Sequence, residues 1–355
     1  MKVIAQTEVV TVEQMRTLLP ETIETRVPAL AAFADGSLLV AFDARLAAKN
    51  TDWEAVGGAM AADLPNPNSL GLVEGILGQN NLVFNSPKLW KTGSEHPLTG
   101  YSDPCILAYA DRVVVVHARS REVGFFGSTG YREPTGANTL YIEVAISDDR
   151  GKTWTYTDAT ASVYGDFAGI FATSGHGVVI PYEHGQTWVV PLVARRFDGT
   201  TTHLTMRSAD RGLTWVTGLP AGEDMDETAY GLLDGKLVLS ARRTSAFKTG
   251  ALGRFTAVSE DGGLTWSEPV WDESLPAAAC NAALVTTSQG LVFAYSGAGR
   301  QGGYLAVKSS LSAPWQELGC FTTGPCGYVE AAWLDDKLLL LYEVPAGIRA
   351  AVVAL

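Results

Sequence analysis

The sequence predicts an all-β chain folded as a six-bladed β-propeller, and three observations carry that reading. The pattern S-x-D-x-G-x-T-W occurs three times, as "SDDRGKTW" from Ser147, "SADRGLTW" from Ser208 and "SEDGGLTW" from Ser259. Apolar residues fall in short runs that end at turn signals. Long stretches of helical period are nearly absent, and "TVEQMRTLLP" near the N-terminus is at best a short helix.

The strands come first. "SLLVAF", "RVVVVHA", "TWVVPLV", "KLVLSA", "LVFAYS", "YLAVKS" and "KLLLLYE" have strand length and strand composition. Asp35-Gly36 precedes the first and Asp234-Gly235 precedes "KLVLSA", dipeptides suited to tight hairpin turns. The three boxes begin 61 and 51 residues apart, a period that suits one four-stranded blade per repeat. At roughly 55–60 residues per blade the chain holds six. "VFNSPKLW" ending at Trp90 and "KSSLSAPW" ending at Trp315 read as decayed boxes that keep the Trp and lose the Asp and Gly. One domain is expected over residues 1–355, with no linker. The end segment "IRAAVVAL" is expected to pair with an N-terminal strand, which removes the open sheet edge.

Each box reads as a hairpin staple. Asp149, Asp210 and Asp261 can accept hydrogen bonds from turn N–H groups. Gly151, Gly212 and Gly263 can take positive φ. Trp154, Trp215 and Trp266 can bury their rings between strands. The boxes are therefore structural, and they say little about function.

Composition narrows the function classes. The chain has 355 residues, 46% hydrophobic, enough for a large core. The formal charge of −12 argues against a nucleic-acid partner, whose phosphates need a basic face. No run approaches the roughly 20 apolar residues of a membrane helix. "MKVIAQTEVV" does not read as a signal peptide, which leaves either a cytoplasmic protein or a secreted one whose signal has been removed. The four cysteines fit no zinc spacing; Cys320 and Cys326 flank a short loop and are either a disulfide or free thiols. The five histidines are scattered, so no metal site is expected, and no organic cofactor is implied. The oligomeric state is left open.

Beyond the boxes, which are the Asp boxes of sialidases and of many other propellers, further segments carry chemistry-bearing residues in a fixed order. They are "TRVPAL", "AFDARLAAKNTDW", "GYSDPC", "MDETAYGLLDGKLVLSARR", "SGAGRQGGYLAVKSS" and "CGYVEAAWLDDKLLLLYE". In that order and rough spacing the chain resembles the bacterial exo-sialidases (neuraminidases) along nearly its whole length, and is most similar to those of actinobacterial type. The resemblance implies an arginine triad of Arg26, Arg242 and Arg300, a further arginine at Arg45, and a pocket-wall residue at Asp103. It implies Asp52 as acid/base, Tyr328 as nucleophile, Glu227 as its base, and Glu343 as support for Arg26. Val27 stands where the family motif has Ile, the first box is degenerate, and the stretch from Leu64 to Asn81 is unusual. The partners implied are sialylated glycans or small sialosides.

The chemistry is coherent on its own terms. Sialic acid carries a carboxylate on its anomeric carbon, and three guanidiniums can grip it through forked, charge-assisted bonds. An anionic nucleophile would meet that carboxylate, whereas a neutral phenol avoids the repulsion. Taken singly, each residue has a plainer reading. Arg26 is then a solvated surface charge, Glu227 part of an acidic turn, Tyr328 core packing, Glu343 a strand-end ion pair and Asp52 a turn cap; Arg243 beside Arg242 reads as a surface charge. Together, in order, they point to retaining hydrolysis of terminal sialic acid. The alternatives are a non-catalytic propeller that binds sialoglycans, a hydrolase of another nonulosonic acid such as the deaminated form, and a trans-sialidase.

Overall fold

A computed structural model describes residues 1–47, 62–79, 81–131, 134–135, 137–183 and 185–355. The described residues form six sheets, the blades of a β-propeller, antiparallel except where Gly175–His176 pairs parallel with Leu98–Tyr109. Blade 1 comprises Thr22–Ala32, Ser37–Leu46 and Ser69–Leu77, with Leu82–Phe84 and Lys88–Lys91 both paired to the outer side of Ser69–Leu77. Blade 2 runs Leu98–Tyr109, Arg112–Ser120, Tyr141–Ser147 and Thr155–Asp158. Blade 3 runs Gly169–Ala172, Gly185–Arg195, Thr201–Ser208 and Val216–Thr217. Blade 4 runs Met225–Leu233, Lys236–Arg243, Arg254–Ser259 and Val270–Asp272. Blade 5 runs Ala283–Thr287, Gly290–Ser296, Gln301–Lys308 and Gln316–Pro325.

Blade 6 is assembled from both ends of the chain. Val329–Leu334, Lys337–Val344 and Gly347–Ala354 are completed by Lys2–Thr11, which pairs antiparallel with Gly347–Ala354 from Lys2↔Ala354 to Thr11↔Gly347. The pairing satisfies both edges and closes the ring. A five-residue helix, Val12–Arg16, follows, started by a capping box between Thr11 and Gln14.

The sequence pattern explains the layout. The second strand of each blade is covered on both faces by neighbouring blades, so it reads as a continuous apolar run. Val113, Val114, Val115 and Val116 are all fully buried, as are Leu338 through Leu341. Turn chemistry sets the hairpins: Asp234 and Gly235 both have positive φ, 52° and 73°, as a type I′ turn needs. Among the described residues all four cysteines are free thiols, and no helix is long and apolar enough to cross a membrane.

The three boxes occupy the same place in blades 2, 3 and 4, the turn between the third and fourth strands. In the first, Asp149 Oδ1 accepts from the amides of Lys152 (3.0 Å) and Thr153 (2.8 Å), and Oδ2 accepts from the Thr153 hydroxyl (2.6 Å). Asp210 and Asp261 repeat the pattern with Leu213–Thr214 and Leu264–Thr265. Gly151, Gly212 and Gly263 have φ of 88°, 92° and 80°. "KSSLSAPW" falls at the equivalent turn of blade 5, whereas Trp90 of "VFNSPKLW" lies inside the strand Lys88–Lys91 and packs on Trp154, with ring centroids 4.8 Å apart.

Asp210→Ala removes four hydrogen bonds from one turn. Because the turn is exposed, the expected cost is about 1–3 kcal/mol in the urea unfolding free energy. Turnover by the folded fraction should be unchanged, and a large loss of turnover at wild-type stability would overturn the structural role.

Candidate active site

The first strand of a blade lies toward the propeller axis, and in three blades that strand breaks register beside a candidate site residue, blade 1 having a second break between Thr22 and Glu24. In blade 1 the break lies between Arg26 and Ala29, in blade 2 between Ser102 and Cys105, in blade 4 between Met225 and Thr228. A bulge adds a residue, bends the strand and re-aims a side chain. Proline sits at two of these breaks, Pro28 and Pro104, where no ladder donor is needed. Val27 takes φ 50° and Asp103 takes φ 58°. Positive φ is strained for a β-branched residue such as Val27, at roughly 1–3 kcal/mol. Arg300, at φ 57°, follows Gly299 at φ 64° in the short helical turn Ala298–Arg300 of blade 5. Arg26, Asp103, Glu227 and Arg300 are thus all presented by irregular backbone.

These irregularities converge on one ring. The guanidinium carbons of Arg26, Arg242 and Arg300 lie 5.5, 5.8 and 5.6 Å from the centroid of Tyr328. Glu343 fixes one side of the group. Its Oε1 accepts from Arg26 Nε (2.8 Å) and from the Val27 amide (2.7 Å), and its Oε2 accepts from the Tyr328 amide (3.0 Å). A β-carbon at residue 327 would stand 2.3 Å from Glu343 Oε2, so the position before Tyr328 needs glycine. Burial pushes the Glu343 carboxyl up, but Arg26 and the two amides outweigh it and hold it below its usual value.

Arg242 fixes the other side. Its Nη1 lies 2.7 Å from the Tyr328 hydroxyl and 2.7 Å from Glu227 Oε2, and its Nη2 lies 3.1 Å from Asp226 Oδ1. Its guanidinium stacks on Phe247, 4.5 Å from the ring centroid. Arg242 Nη1 thus stands between the Tyr328 hydroxyl and the Glu227 carboxylate. Burial raises Glu227 above the usual carboxylate range against the pull of Arg242. Burial likewise raises Tyr328 well above the ordinary phenol value, with Arg242 opposing. The resting site therefore holds a neutral phenol against a buried carboxylate of increased basicity.

Arg45 and Asp103 belong to an adjoining wall organised by Asp43. Fully buried, Asp43 accepts from Arg45 Nε (3.0 Å), the Ser102 hydroxyl (2.5 Å) and the Asp103 amide (3.1 Å). Arg45 also pairs with Asp63. Burial, against the pull of Arg45, pushes Asp43 up to about 6. Burial and then Asp43 hold Asp103 well above the usual carboxylate range. Asp52 lies outside the described residues.

The sequence reading singled out neither Asp43 nor Asp226. One signal for Asp43 was available. An Asp two residues before an Arg inside an apolar strand shares its face, so the two side chains can pair. Arg243 differs from its reading as a surface charge. It stacks between Trp271 and Phe255, at 4.0 and 5.0 Å from their centroids, and lies 3.6 Å from Asp224.

Comparisons with known proteins fit this geometry. Residues 112–339 match the BNR repeat-like domain family. A sialidase of Micromonospora viridifaciens is 28% identical over 346 residues, covering 92% of this chain and 50% of its own length. The chain thus spans about half of that curated relative. Among solved structures, the Hadza microbial sialidase Hz136 superposes with a TM-score of 0.76 at 20% identity, over 95% of this chain and 66% of that one. The intramolecular trans-sialidase from Ruminococcus gnavus gives a TM-score of 0.74 at 14% identity, over 98% and 97%. At those identities the structural likeness establishes the six-bladed fold.

The Glu343 contacts have a pH signature. A carboxyl held low in the folded state stabilises fully above its unfolded value of about 4.3. That contribution is lost as the pH falls through the lower folded value. Glu343→Gln should therefore lower the urea midpoint at pH 7, by about 1–3 kcal/mol for weakened charge-assisted bonds. The gap to wild type should narrow at pH 3. An equal gap at both pH values would show that the charge of Glu343 contributes nothing.

Proposed function

The chain belongs to the BNR repeat-like domain family, and from that premise we propose that it is a retaining exo-α-sialidase acting on the terminal sialic acid of glycans or small sialosides. One observation carries the reading: three guanidiniums from blades 1, 4 and 5 surround a single buried phenol, and one of them also contacts a buried glutamate. Packing alone does not call for that set. Arg26 and Arg242 already have carboxylate partners, whereas among the described residues no ion pair neutralises Arg300, so the group can take a further anion. The likeness to a sialidase across most of the chain supports the same reading.

In this reading Arg26, Arg242 and Arg300 hold the sugar carboxylate. Each charge-assisted bond contributes roughly 1.5–3 kcal/mol net. The grip sets the anomeric carbon beside Tyr328. Ionising a free phenol near pH 6 costs about 5 kcal/mol, and burial adds to that. Attack and proton transfer to Glu227 therefore proceed together. Burial has already raised the affinity of Glu227 for a proton. Asp52 protonates the departing oxygen and then activates the water that releases the sugar. Asp103, whose carboxyl burial and Asp43 push up, lines the pocket wall, and Arg45 anchors that wall through Asp43.

The test is hydrolysis of a fluorogenic α-glycoside of N-acetylneuraminic acid, with the deaminated sugar beside it and products resolved into free and transferred sugar. Tyr328→Phe should reduce kcat at least about 10³-fold, because water replaces a positioned nucleophile, while a carboxylated sugar still binds. Glu227→Gln should give a similar loss, and the double variant much less than the product of the two. A sialoside fluorinated beside the anomeric carbon should leave its sugar on the Tyr328 peptide, detected by mass spectrometry. Wild-type turnover in Tyr328→Phe, or an adduct elsewhere, would refute the mechanism.

A further inference from the structure

Behind the clamp lies a cation to which the proposed chemistry gives no role. Arg254 opens the third strand of blade 4 and is fully buried. The ladder between the second and third strands reaches Ala241↔Phe255, one step short of Arg242 and Arg254. The two arginines thus stand across from each other, an arrangement that repels. Among the described residues no carboxylate lies within ion-pair distance of Arg254. Its donors go to neutral oxygens: Nε to the Ser240 hydroxyl (3.1 Å), Nη2 to the Ser240 carbonyl (2.8 Å) and Nη1 to the Cys280 carbonyl (2.9 Å). Burial first, and Arg242 second, bring its guanidinium down to about 9, which leaves it a cation at neutral pH.

A buried, unpaired charge is expensive, and a neutral side chain would fill the same space at lower cost. The local charge count supplies a reason to keep it. Arg242 is bonded to two carboxylates, Asp226 and Glu227. When both are ionised that trio carries net −1, at the place where the substrate brings a further carboxylate. Arg300 at the same ring offsets that charge, the Arg26–Glu343 pair adds none, and Arg254 raises the count to +1, which one substrate carboxylate neutralises. The charged or titratable groups facing it are Arg242, the Cys280 thiol, Glu227 and Asp226, so its field falls on the clamp and the base together. Through the Cys280 carbonyl it also holds the segment whose side chain packs with Val27 and Tyr328.

We propose that Arg254 is a positioning residue whose unneutralised charge, fixed behind Arg242, lets the clamp accept a substrate carboxylate beside Asp226 and Glu227. The proposal rests on the sialidase reading. It concerns charge rather than shape, so Arg254→Lys and Arg254→Met separate the two.

The probes are 2-deoxy-2,3-didehydro-N-acetylneuraminic acid and its methyl ester, with binding followed by calorimetry and stability by urea unfolding. In Arg254→Met the acid should bind at least about tenfold more weakly, the ester should be unchanged, and Arg254→Lys should recover most of the loss. The acid limb of kcat/KM should move to higher pH in the Met variant, because removing a positive charge makes Glu227 more basic, and should stay in place in the Lys variant. If Arg254→Met does not fold, Arg254→Gln replaces it in the same comparison. Equal losses for acid and ester, a Lys variant no better than the neutral one, or an unchanged acid limb would each overturn the proposal. A wild-type protein that neither binds the acid nor cleaves a sialoside refutes the sialidase reading, and the proposal falls with it. A wild type that does both while Arg254→Met matches it refutes the proposal alone.

Discussion

One carboxylate spans the seam of the ring. Glu343 belongs to blade 6, and its two oxygens hold Arg26 and the Val27 amide of blade 1 together with the Tyr328 amide of blade 6. Buried without those partners it would be strongly destabilising. With them it fixes the spacing between an arginine near the start of the chain and a tyrosine near the end. The strand that closes the ring, Lys2–Thr11, pairs with Gly347–Ala354 just beyond Glu343. Closure of the propeller and geometry of the site are therefore one constraint. The strained φ of Val27 and the glycine at 327 are both conditions for that carboxylate to reach three donors.

The site also shows why net charge is a poor guide to a ligand. A chain of formal charge −12 gathers Arg26, Arg45, Arg242, Arg254 and Arg300 in or behind one cleft. Local, desolvated charges set the field there, and distant surface carboxylates are screened. What matters is how far each guanidinium is already neutralised. Arg45 is held by Asp43 and Asp63, and Arg26 by Glu343, whereas Arg254 bonds only neutral oxygens. The cleft is poised between self-satisfaction and the need for one more anion.

Features of this molecule were legible in the sequence to the degree that they are local. The boxes were readable because Asp149, Gly151 and Trp154 act within one turn, and the ring closure because a terminal strand needs an edge. Tyr328, Glu227 and the three arginines came from the order of whole segments; no local rule brings residues 26, 242 and 300 to one ring. Asp43, Asp226 and Arg254 were not legible. Asp43 matters through a hydrogen bond to the backbone of a neighbouring blade. Asp226 matters because a bulge turns it toward Arg242. Arg254 reads as an ordinary strand-start cation until its cross-strand position and full burial are known. Trp90 was misread for a related reason: a tryptophan at the right spacing marks a box only where the turn chemistry survives with it.

The regular and the irregular parts of the fold are thus divided by position. Toward the outside, each box satisfies its own turn with short bonds, although Arg150 and Arg211 take positive φ, 59° and 64°, where the third box has Gly262. Toward the axis, the first strands of blades 1, 2 and 4 each break register beside a site residue, and strained residues sit at two of those breaks. Such breaks persist only where the surroundings over-determine them, and the doubly covered second strands supply that rigidity. A propeller can then change what its cleft holds by changing a few bulged residues while its boxes and apolar strands stay as they are. The fold alone implies no chemistry. The proposed chemistry rests on the coincidence of three bulges, one glycine-led turn and one seam carboxylate around a single phenol.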